Sequence, residues 1–215
     1  MQFPEYMQTR FPGLQLGPDL FHRWTVGLRF ELNANHWPNV QWDAVLDRAV
    51  TLYEAVFRQG DIGFIVSGHE FEFENKGHGP GKIPEFRNSV FALSRKKSLG
   101  LHGIAGRQRA TTYRDIDTQI ITTYRWTEVG PRSIGYDCIL RAIIHNDFPP
   151  KQPRIGDRVY FINRSRNIIL HMYDDRGLDL IALQVDDLRP VYEAHKTWVL
   201  DHDRSSIDNL FANAE

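Results

Sequence analysis

The densest set of side chains able to do chemistry is a single stretch, His171-Met172-Tyr173-Asp174-Asp175-Arg176-Gly177-Leu178-Asp179. An imidazole followed by three carboxylates and a guanidinium could support acid–base work or weak divalent-cation binding. If the chain is a hydrolase or transferase, His171, Asp174, Asp175 and Arg176 are the residues that would carry it, with His145 joining from a distant part of the sequence. The same letters also write a hairpin. Asp-Asp-Arg-Gly between two strand-forming runs supplies side-chain acceptors for backbone N–H groups, and Gly177 would supply a positive φ. The turn reading is preferred, with no residue assigned to catalysis. Asp174, Asp175, Arg176 and Asp179, joined by Asp201 and Asp203, are then expected to form a binding surface.

Other fragments of motifs stop short. A phosphate loop ending at Gly81-Lys82 needs a glycine where Lys76 stands and a Ser or Thr where Ile83 stands. A dinucleotide fingerprint from Gly77 would need its third glycine at Lys82. His69-Glu70 begins a zinc-protease helix, but the second histidine falls at Phe73, in a strand-like run. Ser67 follows a buried strand, yet Ile65 occupies the position where a nucleophile elbow needs glycine. Cys138 is the single cysteine, which excludes an internal disulfide and every multi-cysteine metal pattern. No cofactor and no metal are expected.

With 41 % hydrophobic and 25 % charged residues over 215 positions, the chain reads as one folded domain, residues 1–215. Its first residues show no basic segment leading into an apolar one, and no apolar run approaches the length of a membrane span. The expected location is therefore the cytoplasm, with no membrane partner. Net charge is −1, but it is unevenly spread. Residues 1–75 hold 5 Lys/Arg against 10 Asp/Glu, residues 76–173 hold 17 against 7, and residues 174–215 hold 4 against 10. Blocks of this kind either pair with one another in the fold or leave one face charged for a partner. Arg95, Lys96, Lys97, Arg107, Arg109 and Arg114, near Tyr113 and Tyr124, could face a nucleic acid. Solvated loop charge is the plainer reading, and nucleic acid is the disfavoured partner.

These residues must be held by elements whose periodicity is legible. Residues 24–32 read as a strand, and residues 42–57 place Val45, Leu46, Ala49, Val50, Tyr53 and Val56 on one helical stripe. Residues 61–73 read as a strand that alternates towards its end. Residues 75–118 read as a basic, glycine-containing insert, with a helix opened by Pro84 and a loop over residues 94–117. A strand over 118–126 and a helix from Ser133 to about Asn146 follow. Residues 157–163, 167–173 and 178–183 read as three strands joined by short turns, the middle one apolar on both faces and so interior to the sheet. Asp187 would cap a helix in which Pro190 occupies the first turn, and a last helix carries Ile207, Leu210 and Phe211. The fold class is α+β: a mixed, partly antiparallel sheet covered by helices, ending in a hairpin or meander and two helices.

The chain resembles the bacterial domain-of-unknown-function family 3885. The likeness rests on LRFEL at residues 28–32, Arg48-Ala49, Leu52-Tyr53-Glu54, Gly60-Asp61, Asn146-Asp147-Phe148-Pro149 and VYFIN at residues 159–163. It is strongest in ILHMYDDRGLD at residues 169–179 and LRPVY at residues 188–192, with Trp198, Asp201 and Asp203-Arg204. It implies a shared fold and a bacterial origin and supplies no activity. On the residues alone, the expected function is that of a non-catalytic protein-binding module, in its sharpest form an immunity-type inhibitor of a cognate toxin.

Overall fold

The computed structural model describes residues 1–33, 41–72, 89–94, 109–115, 120–148 and 151–213. Seven strands form one sheet: β1 (Gly27–Glu31), β2 (Gly63–Glu72), β3 (Arg109–Asp115), β4 (Ile120–Val129), β5 (Arg158–Asn163), β6 (Ile168–Met172) and β7 (Gly177–Ala182). Their order across the sheet is β1-β7-β6-β5-β2-β4-β3, and every pairing is antiparallel. Helices α1 (Phe3–Arg10), α2 (Trp42–Val56), α3 (Val90–Ser94), α4 (Tyr136–Ile144), α5 (Val185–His195) and α6 (Asp201–Ala212) complete the α+β architecture.

Both faces of the sheet are covered, by different parts of the chain. Alternation along the strands sends Leu28, Phe30, Ile65, Val159, Phe161, Leu170 and Leu180 to one face, where α2, α4, α5 and α6 close the larger core. It sends Phe64, Val66, Trp126, Ile162, Ile169 and Ile181 to the other face. There residues 1–24 lie across the strands with Phe3, Tyr6, Met7, Phe11, Leu16 and Leu20 pointing inward. Side chains on opposite faces are equally hidden, so every residue of β6 is buried.

The β5–β6 turn is set by Asn163, whose Oδ1 accepts the N–H groups of Ser165 and Arg166 at 2.9 and 3.1 Å. Asn167 takes the left-handed conformation, φ 52°. In the β6–β7 turn Asp174 Oδ1 accepts the Arg176 N–H at 2.8 Å, as the turn reading requires. Gly177, however, is not among the glycines with positive φ. Its value lies in having no side chain, because a Cβ there would overlap the Tyr173 hydroxyl and crowd the Phe30 carbonyl oxygen.

Other expectations are corrected in detail. Residues 109–115 were expected as loop and form β3, a strand held only through its pairing with β4 among the described residues. Ser133 does not cap α4; its hydroxyl donates to Gly130 O at 2.7 Å within a separate helical turn. Helix α5 starts at Val185, so Asp187 lies inside it and Pro190 sits beyond its first turn. Of the expected helix after Pro84 and the loop over 94–117, residues 73–88, 95–108 and 116–119 lie outside the described residues.

Candidate functional site

A row of polar side chains crosses the sheet beneath residues 16–24. Register fixes it: Tyr160 on β5 opposes His171 on β6, His171 opposes Asp179 on β7, and Asp179 opposes Arg29 on β1. All four therefore project to the same face, the one covered by the N-terminal segment. Burial is nearly complete, with His171 1 % and Asp179 0 % exposed.

At one end of the row Arg29 gathers charge. Its Nε donates to Asp179 Oδ1 at 2.9 Å and its Nη1 to His22 Nε2 at 3.1 Å, while Asp203 Oδ2 of α6 lies 3.6 Å from Nη1. Asp179 Oδ2 also accepts the backbone N–H of Phe21 at 3.0 Å. The guanidinium lies 5.4 Å from the Phe21 ring centre and 5.8 Å from that of Tyr173. Burial pushes the Asp179 carboxyl above the usual carboxylate range, and Arg29 opposes it. The arrangement ties β1, β7, α6 and the covering segment together through one cation.

In the middle of the row His171 stacks on Tyr160, with ring centres 4.4 Å apart and planes at 27°. Its Nδ1 donates to Val159 O at 3.0 Å, which makes Nε2 the bare acceptor. His171 Nε2 is buried and has no hydrogen-bond partner among the described residues, while the Tyr160 hydroxyl lies against the Arg158 guanidinium. Burial lowers the imidazole pKa to about 4, so His171 is neutral at pH 7. An unmet buried polar group costs about 1–3 kcal/mol, so the buried imidazole is held at the expense of stability. Next along β5, Arg158 meets Glu70 of β2 through both its terminal nitrogens. This ion pair holds the Glu70 carboxyl below its ordinary range.

The turn residues are engaged locally. Arg176 pairs with Asp174, and Asp175 Oδ2 accepts from Asn33 Nδ2 at 3.0 Å. Asp174, Asp175, Asp179 and Asp203 are all buried, whereas Asp201 and Arg176 have side chains 92 % and 75 % exposed. His145 follows α4 on the opposite face, its Nδ1 3.2 Å from Pro153 O. Of the basic candidates, Arg95, Lys96, Lys97 and Arg107 lie outside the described residues. Arg109 stands over the Trp126 ring at 5.5 Å, and Tyr124 is buried with its hydroxyl donating to Leu16 O at 2.6 Å.

A second polar group occupies the helix-covered face. Asp157 Oδ1 lies 2.9 Å from His69 Nδ1 and its Oδ2 accepts from Ser67 Oγ at 3.1 Å. Sequence reasoning weighed Ser67 and His69 only within local motifs and missed Asp157, which is about 90 residues away. It also missed Arg29, Tyr160, Arg158 and Glu70. Among the described residues no group of three or more His, Cys, Asp or Glu is placed to hold a metal ion. No helix there is long and apolar enough to cross a membrane.

Residues 3–203 match the family described as Domain of unknown function (DUF3885). The chain belongs to the DUF3885 family. The match runs from α1 into the first turn of α6, so the DUF3885 region contains the whole polar row and both residues that flank Arg29. A relative, the Uncharacterized protein YnaE of Bacillus subtilis (strain 168), is 24 % identical over 211 residues, covering 92 % of this chain and 96 % of that protein. No solved structure matches.

Proposed function

We propose that this DUF3885 protein acts by binding a basic protein partner through the acidic surface of its C-terminal helices. The observation that supports the reading is where the acidity of residues 174–215 goes. Among the described residues its ion pairs run within the block, Arg176–Asp174, Arg189–Asp186 and Arg204–Asp201, or to Arg29. The basic block 76–173 pairs with acids of residues 1–75, through Arg132–Glu54, Arg141–Asp43 and Arg158–Glu70, and within itself through Arg164–Glu128. Asp174, Asp175, Asp179 and Asp203 of this block are buried, and its exposed acids lie on α5 and α6, where these helices pack at the β1–β7 end of the sheet. Asp186, Glu193 and Asp201 are exposed there. Such a field steers a positively charged partner and raises its association rate. Trp198, between the Arg48 guanidinium at 5.1 Å and the His195 ring at 4.7 Å, lies in the turn joining the two helices and supplies an aromatic anchor. Inhibition of a basic toxin is the sharpest form of this reading. The test is affinity capture from the native host, followed by calorimetry of the captured partner with wild type and with Asp186→Lys, Glu193→Lys and Asp201→Lys combined. Binding that weakens with salt and falls roughly tenfold or more in the variant supports it; binding indifferent to both contradicts it.

A second reading, hydrolase or transferase, is favoured by one observation, the carboxylate-oriented imidazole of Asp157–His69. It moves the acid–base candidate away from His171, Asp174, Asp175 and Arg176. Turnover of p-nitrophenyl esters that disappears in a folded His69→Gln variant would support it; turnover unchanged in that variant would exclude it.

A further inference from the structure

We propose that the protein forms a symmetric dimer in which β3 pairs antiparallel with β3 of a second copy, joining two sheets edge to edge. The proposal does not depend on the acidic surface. The two edges of the sheet are treated differently. At β1 the outer edge is closed: Phe30 bridges to Val199, Arg29 O accepts the Leu200 N–H at 2.9 Å, and Glu31 O accepts from Arg48 Nη1 at 3.2 Å. On the far side β3, seven residues long, pairs with β4 from end to end without a bulge. Among the described residues no strand pairs with its outer edge. It carries no proline and no lysine. An edge of this kind is a template for another strand.

Register decides which backbone groups face outward. A strand residue turns its N–H and C=O to one side, and the next residue turns them to the other. The Arg164 N–H donates to Ile62 O, so even-numbered residues of β2 bond to β5 and odd-numbered ones to β4. Carried through the continuous β2–β4 and β4–β3 registers, this gives the odd-numbered residues of β3 to β4 and leaves Ala110, Thr112 and Arg114 facing outward. Two copies can then pair only with outward residues opposite outward residues. The register centred on Thr112 uses the whole strand. In it Thr112 meets the partner's Thr112, Ala110 meets the partner's Arg114, and Thr111 stands opposite the partner's Tyr113. Arg109 stands opposite the partner's Asp115 at both ends, in the non-hydrogen-bonded kind of pair where side chains come closest. A slip of one residue, which would set Arg109 against the partner's Arg114, is excluded by the alternation. The charges that discourage an unrelated strand therefore complement a second copy of this one.

The test is sedimentation velocity on the full chain from about 1 to about 200 µM. The expected result is a reversible rise from 25.0 kDa to twice that mass. Thr112→Pro removes an outward N–H and leaves the β3–β4 bonds in place, so it should abolish the dimer without changing the circular dichroism spectrum. Arg109→Asp and Asp115→Arg each set like charges against one another at both ends and should weaken association roughly tenfold or more. Mixing these two single variants should restore it, because each end again joins opposite charges, and this decides the matter if Thr112→Pro fails to fold. A monomer at every concentration would overturn the proposal. A dimer that survives Thr112→Pro and both reversals, or a mixture no more associated than either variant alone, would overturn it equally.

Discussion

Replacing Arg29 by Met keeps most of the side chain's length and removes its charge, leaving the fully buried Asp179 with only the Phe21 N–H as its hydrogen-bond donor. Breaking a buried ion pair from one side costs about 3–5 kcal/mol, because the remaining charge loses its partner without regaining water. For a chain of this size each kcal/mol moves Tm by roughly 2–4 °C, so a fall of about 6–20 °C is expected. The pH dependence gives a sharper check. Burial already raises the Asp179 carboxyl pKa, and loss of the guanidinium raises it further. In the variant the native state then takes up a proton that the unfolded chain does not, over the range between the two pKa values. More protons bound by the native state means that stability rises as pH falls. The deficit relative to wild type should therefore shrink as pH falls towards the unfolded carboxylate value of about 4, read from urea unfolding by tryptophan fluorescence. Arg29→Met with Asp179→Asn should recover much of the loss. A cost below about 1 kcal/mol, or a deficit that does not change with pH, would refute the claim that this pair holds the row together.

Three further outcomes follow from the same geometry. The His171 pKa lies at about 4, below its unfolded value, so the unfolded chain binds the extra proton and stability is lost as pH falls from about 6.5 towards 4. The loss attributable to this residue is about 3 kcal/mol; it should be absent in His171→Phe, as measured by urea midpoints across that range. Gly177→Ala forces a Cβ into the Tyr173 hydroxyl and should cost about 1–3 kcal/mol in thermal or urea unfolding, with part of it regained in Gly177→Ala/Tyr173→Leu. Asp174→Asn breaks the pair with the largely exposed Arg176 while its Oδ1 can still accept the turn N–H, so a loss under about 1 kcal/mol is expected.

What the sequence reveals and hides follows from how far apart the interacting residues lie. Helix α2 and the β5–β6–β7 meander are legible because apolar spacing and turn residues are local signals. The β6–β7 turn was legible as well, down to the Asp174 acceptor. The role of Gly177 was not, since it depends on where the Tyr173 ring folds. Arg29 illustrates the harder case. Between Leu28 and Phe30 it occupies the position that alternation assigns to solvent, and only the covering of that face by residues 1–24 buries it. Its partner Asp179 is 150 residues away and meets it through strand register. Ser67, His69 and Asp157 fall under the same limit. Strand β3, polar and basic, carries no apolar alternation, so its pairing with β4 left no local trace.

The central claim, that the acidic C-terminal helices receive a basic partner, is tested most directly by the salt slope of binding. The captured partner should bind with an affinity that falls steeply as ionic strength rises, and the slope should flatten when Asp186, Glu193 and Asp201 are reversed to lysine. A flat slope for the wild-type protein, or one identical in the reversed variant, would show that this acidic surface is not the interface.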